Sequence, residues 1–544
     1  MHFFLILKSH TFNSIALFLT FWVIIFTPRI YPDDYITQNQ KYIDVLHYDI
    51  NIQLNTKLRT INADVKIKGV IKNKDLKRID LNFYDNFNIS DVYLNGEKTT
   101  YENKGTRFSI LKPSTLVDTF TIRVVYSGKP VRRGFSSFVF ASINGQSVVY
   151  SLNEPNYAST WFPCNDIPSD KALLDIKITN DSSQVSVSNG KLIDVKTVNN
   201  KRTYHWKTYY PIATYLISLY SSNYKEFDQT YISQNKADTM KIKYYAFPYN
   251  YKKAKVDFSI NLDMLKFMSK TFGEYPFIKE KYGVAEFLWQ LGAIEHQTIT
   301  GIGSSLVGGD NFFNDVYIHE LSHQWWGDAV SIKDWKDIWL NEGFATYNEA
   351  LYDEYKAGPA ALRSTMLSKA QNRFSGKLYN PHNYFSRTVY NKGAWVLHML
   401  RREVGDSTFY SILRKYFEKY KYKNVSTNDF KVLSEKISGK NLTYFFKQWV
   451  YEGTGRIEAE YNWDVDEDGD DIYLDFQLEQ IQKGYKSYNF PLDIKINYKD
   501  SSNEIKTIRI NNINVEKRIK LKARPINIEL DPNNWLLSVF KNNG

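Results

Sequence analysis

Hydrophobic and polar residues alternate with period two through residues 42–227, as in Tyr48-Asp49-Ile50-Asn51-Ile52-Gln53-Leu54, and Asn-Gly and Ser-Gly pairs punctuate the runs. Neighbouring side chains on a strand point to opposite faces, so this pattern predicts short antiparallel strands, each with one buried face. Between about residues 256 and 450 the repeat changes to the three-and-four spacing of amphipathic helices, clearest at 262–272 and 394–404, with glycine and proline at the joints. Alternation returns after Gly453-Thr454-Gly455, through Tyr473-Leu474-Asp475-Phe476-Gln477-Leu478 and Ile494-Lys495-Ile496-Asn497-Tyr498. The remaining length suits a small closing β-sandwich. The predicted fold class is multidomain α+β: an N-terminal antiparallel β domain at 31–228, a helix-rich domain at 229–453 and a C-terminal β-sandwich at 454–544.

A chain of 544 residues is long enough for about three or four cores. Its 43% hydrophobic and 24% charged residues exclude a disordered or multi-spanning membrane protein. The net charge of +11 is spread along the chain, without the basic arms of nucleic-acid binders, so no nucleic-acid partner is expected. The one cysteine, Cys164, excludes an internal disulfide and any cysteine-based metal site, so a metal would need histidine and carboxylate ligands. Residues 1–30 stand apart: Lys8 and His10 precede an apolar run at 15–26, followed by Pro28 and Arg29. A run of that length fits a signal peptide better than a membrane-spanning helix, although no clean small-x-small cleavage site follows. The segment predicts an exported protein, periplasmic, envelope-associated or secreted, with membrane contact only if the segment stays as an uncleaved anchor.

The segment His319-Glu320-Leu321-Ser322-His323 places two histidines four residues apart, so on a helix both imidazoles leave one face a turn apart and can grip one ion. Glu320 lies about a hundred degrees round, where its carboxylate can reach a water on that ion without being a ligand. Zinc hydrolases use three protein ligands and keep a fourth position open. Glu342, in Trp339-Leu340-Asn341-Glu342-Gly343-Phe344, follows His323 by nineteen residues, enough for a turn and a returning helix, and is the candidate third ligand. One Zn2+ per chain is therefore expected, bound by His319, His323 and Glu342. Glu320 would serve as general base, taking the proton of the attacking water and passing it to the leaving amine.

The His-Glu-x-x-His-x18-Glu arrangement resembles that of the M1 family of zinc aminopeptidases, the gluzincins, and further matches extend the resemblance over nearly all the chain after the leader. Gly292-Ala293-Ile294-Glu295-His296 is similar to the family's Gly-x-Met-Glu-Asn exopeptidase motif, with Ile294 for Met and His296 for Asn. The resemblance assigns Gly292, Ala293, Ile294 and Glu295 to substrate binding, with Glu295 as the functional carboxylate. Val389-Tyr390-Asn391-Lys392-Gly393 looks like the Tyr-x-Lys-Gly segment whose tyrosine hydrogen-bonds the transition-state oxyanion, a role that falls to Tyr390. Ser151-Leu152-Asn153-Glu154-Pro155 resembles the strip that lends a second amine-binding group, here Glu154. The resemblance further implies a thermolysin-like catalytic domain and peptide substrates with a free N-terminus. The large helical C-terminal domain of many members looks absent. Leu291, just before the exopeptidase motif, is expected near the pocket for the first side chain.

Three other patterns read as structural. Asp464-Val465-Asp466-Glu467-Asp468-Gly469 followed by Asp475 imitates a calcium loop, but alternating residues flank it, so a hairpin turn is expected. Gly301-Ile302-Gly303 and Gly308-Gly309 could suggest a phosphate loop, but without Gly-Lys-Ser/Thr they are expected to border the edge strand of the substrate cleft, and Cys164 is expected to be a buried, inert thiol. Within the hydrolases, an endopeptidase or an added epoxide hydrolase activity stays open, and outside them an inactive peptide-binding scaffold.

Overall fold

The computed structural model describes residues 35–544 apart from 117, 291 and 372. The leader at 1–30 and Leu291 therefore lie outside the described residues. Strand Ile43–Asn55 is central to an eight-stranded sheet, pairing in parallel with Leu173–Asp181 and antiparallel with Thr60–Ile71. Its alternation buries Tyr48, Ile50, Ile52 and Leu54. Val45 and Tyr48, three apart, also both point inward, because a β-bulge between Val45 and His47 shifts the register and supplies one extra residue. A four-stranded sheet containing Ser137–Ile143, Gln146–Leu152 and Tyr220–Ser222 and a three-stranded sheet complete the β domain.

The strand Lys225–Ile232 crosses position 228/229, where the sequence suggests a domain boundary, and pairs with Thr239–Ala246 at the start of a five-stranded sheet. That sheet runs on through Tyr282–Phe287 and Thr300–Gly303 to the two-residue strand Ala293–Ile294. The edge strand is thus Ala293–Ile294, and Gly301-Ile302-Gly303 borders it as expected, with Ala293 and Ile294 pairing antiparallel with Ile302 and Gly301. Helices pack behind it, chiefly Asn261–Phe272, Asn314–His323, Trp339–Ala357, Pro359–Lys369 and Gly393–Val404. Helix Trp339–Ala357 is buried through its first fourteen residues, so its polar Asn341, Glu342, Thr346, Asn348 and Glu349 are enclosed together with its apolar ones.

The C-terminal β domain is a sandwich of a four-stranded and a three-stranded sheet. Leu474, Phe476 and Leu478 from one sheet and Leu492, Ile494 and Ile496 from the other are buried. The acidic run forms the hairpin of Ile457–Asp468 with Asp471–Gln480, with Gly469 at φ +62° in the turn. Cys164 is buried, and burial pushes its thiol well above the ordinary range.

Candidate active site

The histidine helix, Asn314–His323, and the carboxylate helix, Trp339–Ala357, pack together and bring His319, His323 and Glu342 to one point, with one ligand atom from each within 4.8 Å of the others. Glu342 Oε2 lies 3.4 Å from His319 Nε2 and 3.5 Å from His323 Nε2. Ligands bonded at about 2.0–2.1 Å to a tetrahedral zinc stand roughly 3.3 Å apart, so these separations suit that ion. The other ring nitrogens are occupied: His319 Nδ1 meets Glu349 Oε1 at 2.9 Å and His323 Nδ1 meets the Trp326 carbonyl at 3.0 Å. Both Nδ1 atoms can then carry the proton, leaving both Nε2 lone pairs free for a metal. Lys369 in turn pairs with Glu349.

The electrostatics call for positive charge at the same place. Glu342 Oε2 is buried with no hydrogen-bond partner. Burial opposes its ionisation, but His323 and His319 hold it down at about 2. Burial also disfavours the imidazolium of His319, yet Glu342 and Glu349 raise it well above the ordinary histidine range. The carboxylates thus draw protons onto nitrogens placed as ligands, and a divalent cation answers the same demand. The three residues fit zinc.

Glu320 lies on the histidine helix, 7% exposed, with Oε2 unpartnered. Burial, with Glu295 nearby, pushes it up to about 8 against the pull of His319. Tyr390 sits in a π-helical turn, Thr388–Lys392, ahead of helix Gly393–Val404, and its ring stacks on His319 at 5.7 Å between centroids. Two glycines bring it there. A Cβ on Gly343 would fall 2.9 Å from the Gly393 Cα, and one on Gly393 equally close to the Gly343 Cα, so the two helices touch backbone to backbone beside Glu342 and Tyr390. The Lys392 ammonium, buried, donates to the Gly453 carbonyl at 2.6 Å and anchors this turn to the last residue of the helix-rich domain.

Glu154 arrives from the β domain. Its neighbour Asn153 is fixed by donating to the Ile217 carbonyl at 2.5 Å and accepting from the Trp161 indole at 2.9 Å. Glu295 follows the edge strand, where Gly292 and Ala293 are half-buried and Ile294 is buried. One carboxylate oxygen each of Glu154, Glu295 and Glu342 fall within 4.8 Å of one another. Glu154 Oε1 and Glu295 Oε1 are buried and unpartnered, and burial followed by Glu295 and Glu342 raises Glu154 well above the carboxylate range.

His319, His323, Glu342, Glu154 and Glu295 thus come together, Tyr390 stacks beside His319, and Gly292, Ala293 and Ile294 lead directly into Glu295; Leu291 lies outside the described residues. Others were not anticipated. Glu349 lies two turns after Glu342 on the same helix face, a spacing visible in the sequence. Gln324, next to His323, accepts from Thr298 N at 2.8 Å and donates to the Glu295 carbonyl at 3.3 Å, tying the exopeptidase segment to the histidine helix. Tyr220 of the β domain shares a 2.6 Å hydrogen bond with His296 Nδ1. Its hydroxyl passes Gly301, where a Cβ would lie 2.3 Å away. Burial keeps the His296 imidazole neutral, with its pKa down at about 3. No sequence pattern announced that pair.

The aminopeptidase 2, mitochondrial, of Saccharomyces cerevisiae is 27% identical over 443 residues, covering 74% of this chain and 46% of its own length. The probable aminopeptidase 2 of Sulfurisphaera tokodaii is 25% identical over 494 residues, covering 83% of this chain and 62% of its own. The chain thus spans about half to three fifths of the curated relatives it matches. Among solved structures, the Legionella pneumophila aminopeptidase A in complex with aspartic acid superposes with a TM-score of 0.80 at 19% identity, over 92% of this chain and 60% of that one, a likeness of fold. The M1 zinc metallopeptidase of Deinococcus radiodurans gives a TM-score of 0.66 at 27% identity, over 75% of this chain and 94% of that one. The family description "Peptidase M1 N-terminal domain" matches residues 45–216 and "Peptidase family M1 domain" matches residues 256–449, so both the β domain and the metal-binding domain carry the family's pattern and the chain belongs to peptidase family M1.

Proposed function

We propose that the protein is a zinc aminopeptidase that hydrolyses the first peptide bond of peptides with a free N-terminus. The observation that carries this reading is the pair of buried, unpartnered carboxylates, Glu154 and Glu295, beside Glu342. Buried carboxylates without partners are costly, and a peptide α-ammonium would satisfy both. It would also set the first peptide bond over the metal and leave no room for residues before it, which argues against an endopeptidase. Zinc held by His319, His323 and Glu342 supplies Lewis-acid activation of water and of the scissile carbonyl.

The remaining work falls to side chains. Glu320, whose buried Oε2 has no other partner, takes the proton of the attacking water and returns it to the leaving amine. The Tyr390 hydroxyl donates to the oxyanion that develops at the former carbonyl. The edge strand Ala293–Ile294 has its outer side free of any pairing strand among the described residues and can align the substrate backbone. Export of the chain rests on the leader: a fusion carrying residues 1–40 is expected to leave the cytosol.

The test compares kcat/KM on free-amine and N-acetylated peptides. Free amines should be cleaved and acetylated ones scarcely. Glu295→Ala should lower the free-amine value by about ten- to a hundredfold, the worth of one charge-assisted hydrogen bond. Equal cleavage of both substrate types by the unaltered enzyme would falsify the aminopeptidase reading.

A further inference from the structure

The eight-stranded sheet of the β domain ends in two very different edges. One is the two-residue strand Glu97–Lys98, and the other is Lys191–Val198, eight residues long, with no strand on its outer side among the described residues. Seven of those eight residues are exposed and Asp194 is half-buried. Leu192, Ile193, Val195 and Val198 are 40%, 43%, 42% and 65% exposed. A long open edge presents its free amides and carbonyls as a template for another strand, and here it carries four aliphatic side chains in water as well.

The hairpin fixes which backbone groups are free. Lys191–Val198 turns into Lys201–Lys207 through Asn199 and Asn200, at φ 47° and 60°, the two-residue turn that follows the strand twist. Val198 and Lys201 close that hairpin, so Val198 spends its amide and carbonyl on Lys201. Alternation then turns the backbone groups of Lys196 inward too, and those of Val195 and Thr197 outward. Side chains alternate in the same way: Asp194 and Lys196 share a face, with Lys196 Nζ 3.1 Å from Asp194 Oδ2. A β-bulge between Leu192 and Asp194 ends the regular stretch.

A second copy pairing antiparallel on this edge must match outward residues with outward residues, which permits only registers that differ by two. With the axis at Val195, Asp194 of each copy lies opposite Lys196 of the other, at the closely spaced positions without backbone bonds, and two ion pairs form between the copies. With the axis at Lys196, Lys196 meets Lys196, and with the axis at Asp194, Asp194 meets Asp194. Opposite charges directly across a strand pair stabilise it and like charges destabilise it. The run Asp194-Val195-Lys196 therefore complements itself in one register and repels itself in the two beside it.

We propose that Lys191–Val198 is a self-association surface, on which a second copy of this chain adds its own Lys191–Val198 about a twofold axis at Val195 and joins the two β domains in one continuous sheet. Each surface then serves as its own partner, as a closed twofold dimer requires, and the ion pair inside each copy is exchanged for two between them.

The test measures self-association of the purified chain by sedimentation equilibrium at up to about 200 µM, a range that reaches small interfaces. A reversible dimer is expected, and a monomer throughout overturns the proposal. Asp194→Lys and Lys196→Asp each turn both ion pairs into like-charge pairs and should weaken the dimer about tenfold or more, at a melting temperature close to that of the unaltered chain. The double variant Asp194→Lys/Lys196→Asp reverses the pattern and should recover most of the lost association. Association unmoved by the single variants, or not recovered by the double one, overturns the register and the proposal with it. Val195→Cys sets one thiol on each side of the axis, at the roughly 5.5 Å Cα spacing of a hydrogen-bonded pair, within reach of a disulfide. Cys164 is buried, so mild oxidation should link Val195→Cys into a dimer and leave the unaltered chain unlinked. Val198→Cys, three residues from the axis, would stand roughly 20 Å from its counterpart and should stay unlinked; linking of this variant as readily as of Val195→Cys refutes the pairing.

Discussion

Glu349 is not a proposed zinc ligand, yet its loss should weaken the metal site. Its Oε1 accepts from His319 Nδ1 at 2.9 Å, while Lys369 pairs with its other oxygen. In Glu349→Ala the imidazole loses the acceptor that orients it and keeps the Nε2 lone pair free for zinc. A hydrogen bond to a charged partner is worth about 1.5–3 kcal/mol, and each 1.4 kcal/mol is roughly a factor of ten. Zinc affinity should therefore fall about 10- to 100-fold, measured by competition with a chelator of known strength and by metal analysis. Turnover at saturating zinc should fall less. Lys369 would be left unpaired in a largely buried place, so a loss of folding must be separated from a loss of affinity. The double variant Glu349→Leu/Lys369→Met removes both charges: it should regain thermal stability without regaining zinc affinity. Zinc binding within twofold of the unaltered protein in Glu349→Ala would refute the argument, as would a double variant that binds zinc normally.

Three further outcomes are expected. Glu320→Gln should keep one zinc per chain and lose nearly all turnover, because an amide cannot accept the water's proton; near-normal kcat would remove the general base from the mechanism. Tyr390→Phe should lower kcat by about 10²- to 10³-fold with little change in KM, the usual cost of removing an oxyanion donor, and a change confined to KM would assign the hydroxyl a ground-state role. His398 tests the domain interface: it bridges Tyr347 at 3.1 Å and the Asn534 carbonyl at 3.1 Å and stacks on Trp535, and burial holds it neutral with its pKa lowered to about 3. The unfolded state therefore binds the extra proton first, so the contribution is complete above about pH 6.5 and declines as the pH falls toward 3, by about 2 kcal/mol at pH 5. The loss of melting temperature between pH 7 and 5 should shrink in His398→Gln, and an equal loss in both proteins would contradict the assignment.

The domain sequence and the metal-binding set were legible because each obeys a local rule. Period-two alternation marks strands wherever one face is buried, and four-residue spacing puts His319 and His323 on one helix face whatever surrounds them. The residues that were missed depend on contacts distant in sequence. Glu349 shares a helix face with Glu342, but a carboxylate there could equally have faced solvent until Lys369 and His319 were seen on either side of it. Tyr220 and His296 belong to different domains, and nothing in either neighbourhood marks the bond between them. The glycines at 301 and 303 are legible as neighbours of the edge strand, but the close pass of the Tyr220 hydroxyl at Gly301 is not, and the edge itself, Ala293–Ile294, is too short to show any alternation.

The contact between Gly343 and Gly393 has a mechanical consequence. With no side chain between them, the carboxylate helix and the segment bearing Tyr390 behave as a single stiff lever, since neither can slide past the other without a backbone collision. A tilt that admits a peptide or releases a product would carry Glu342 and Tyr390 along together, keeping their spacing while the opposite wall, built by the β domain around Glu154, moves relative to them. Opening and closing would then alter how firmly the peptide's first residue is gripped, and leave the bond-breaking apparatus in one piece throughout the cycle.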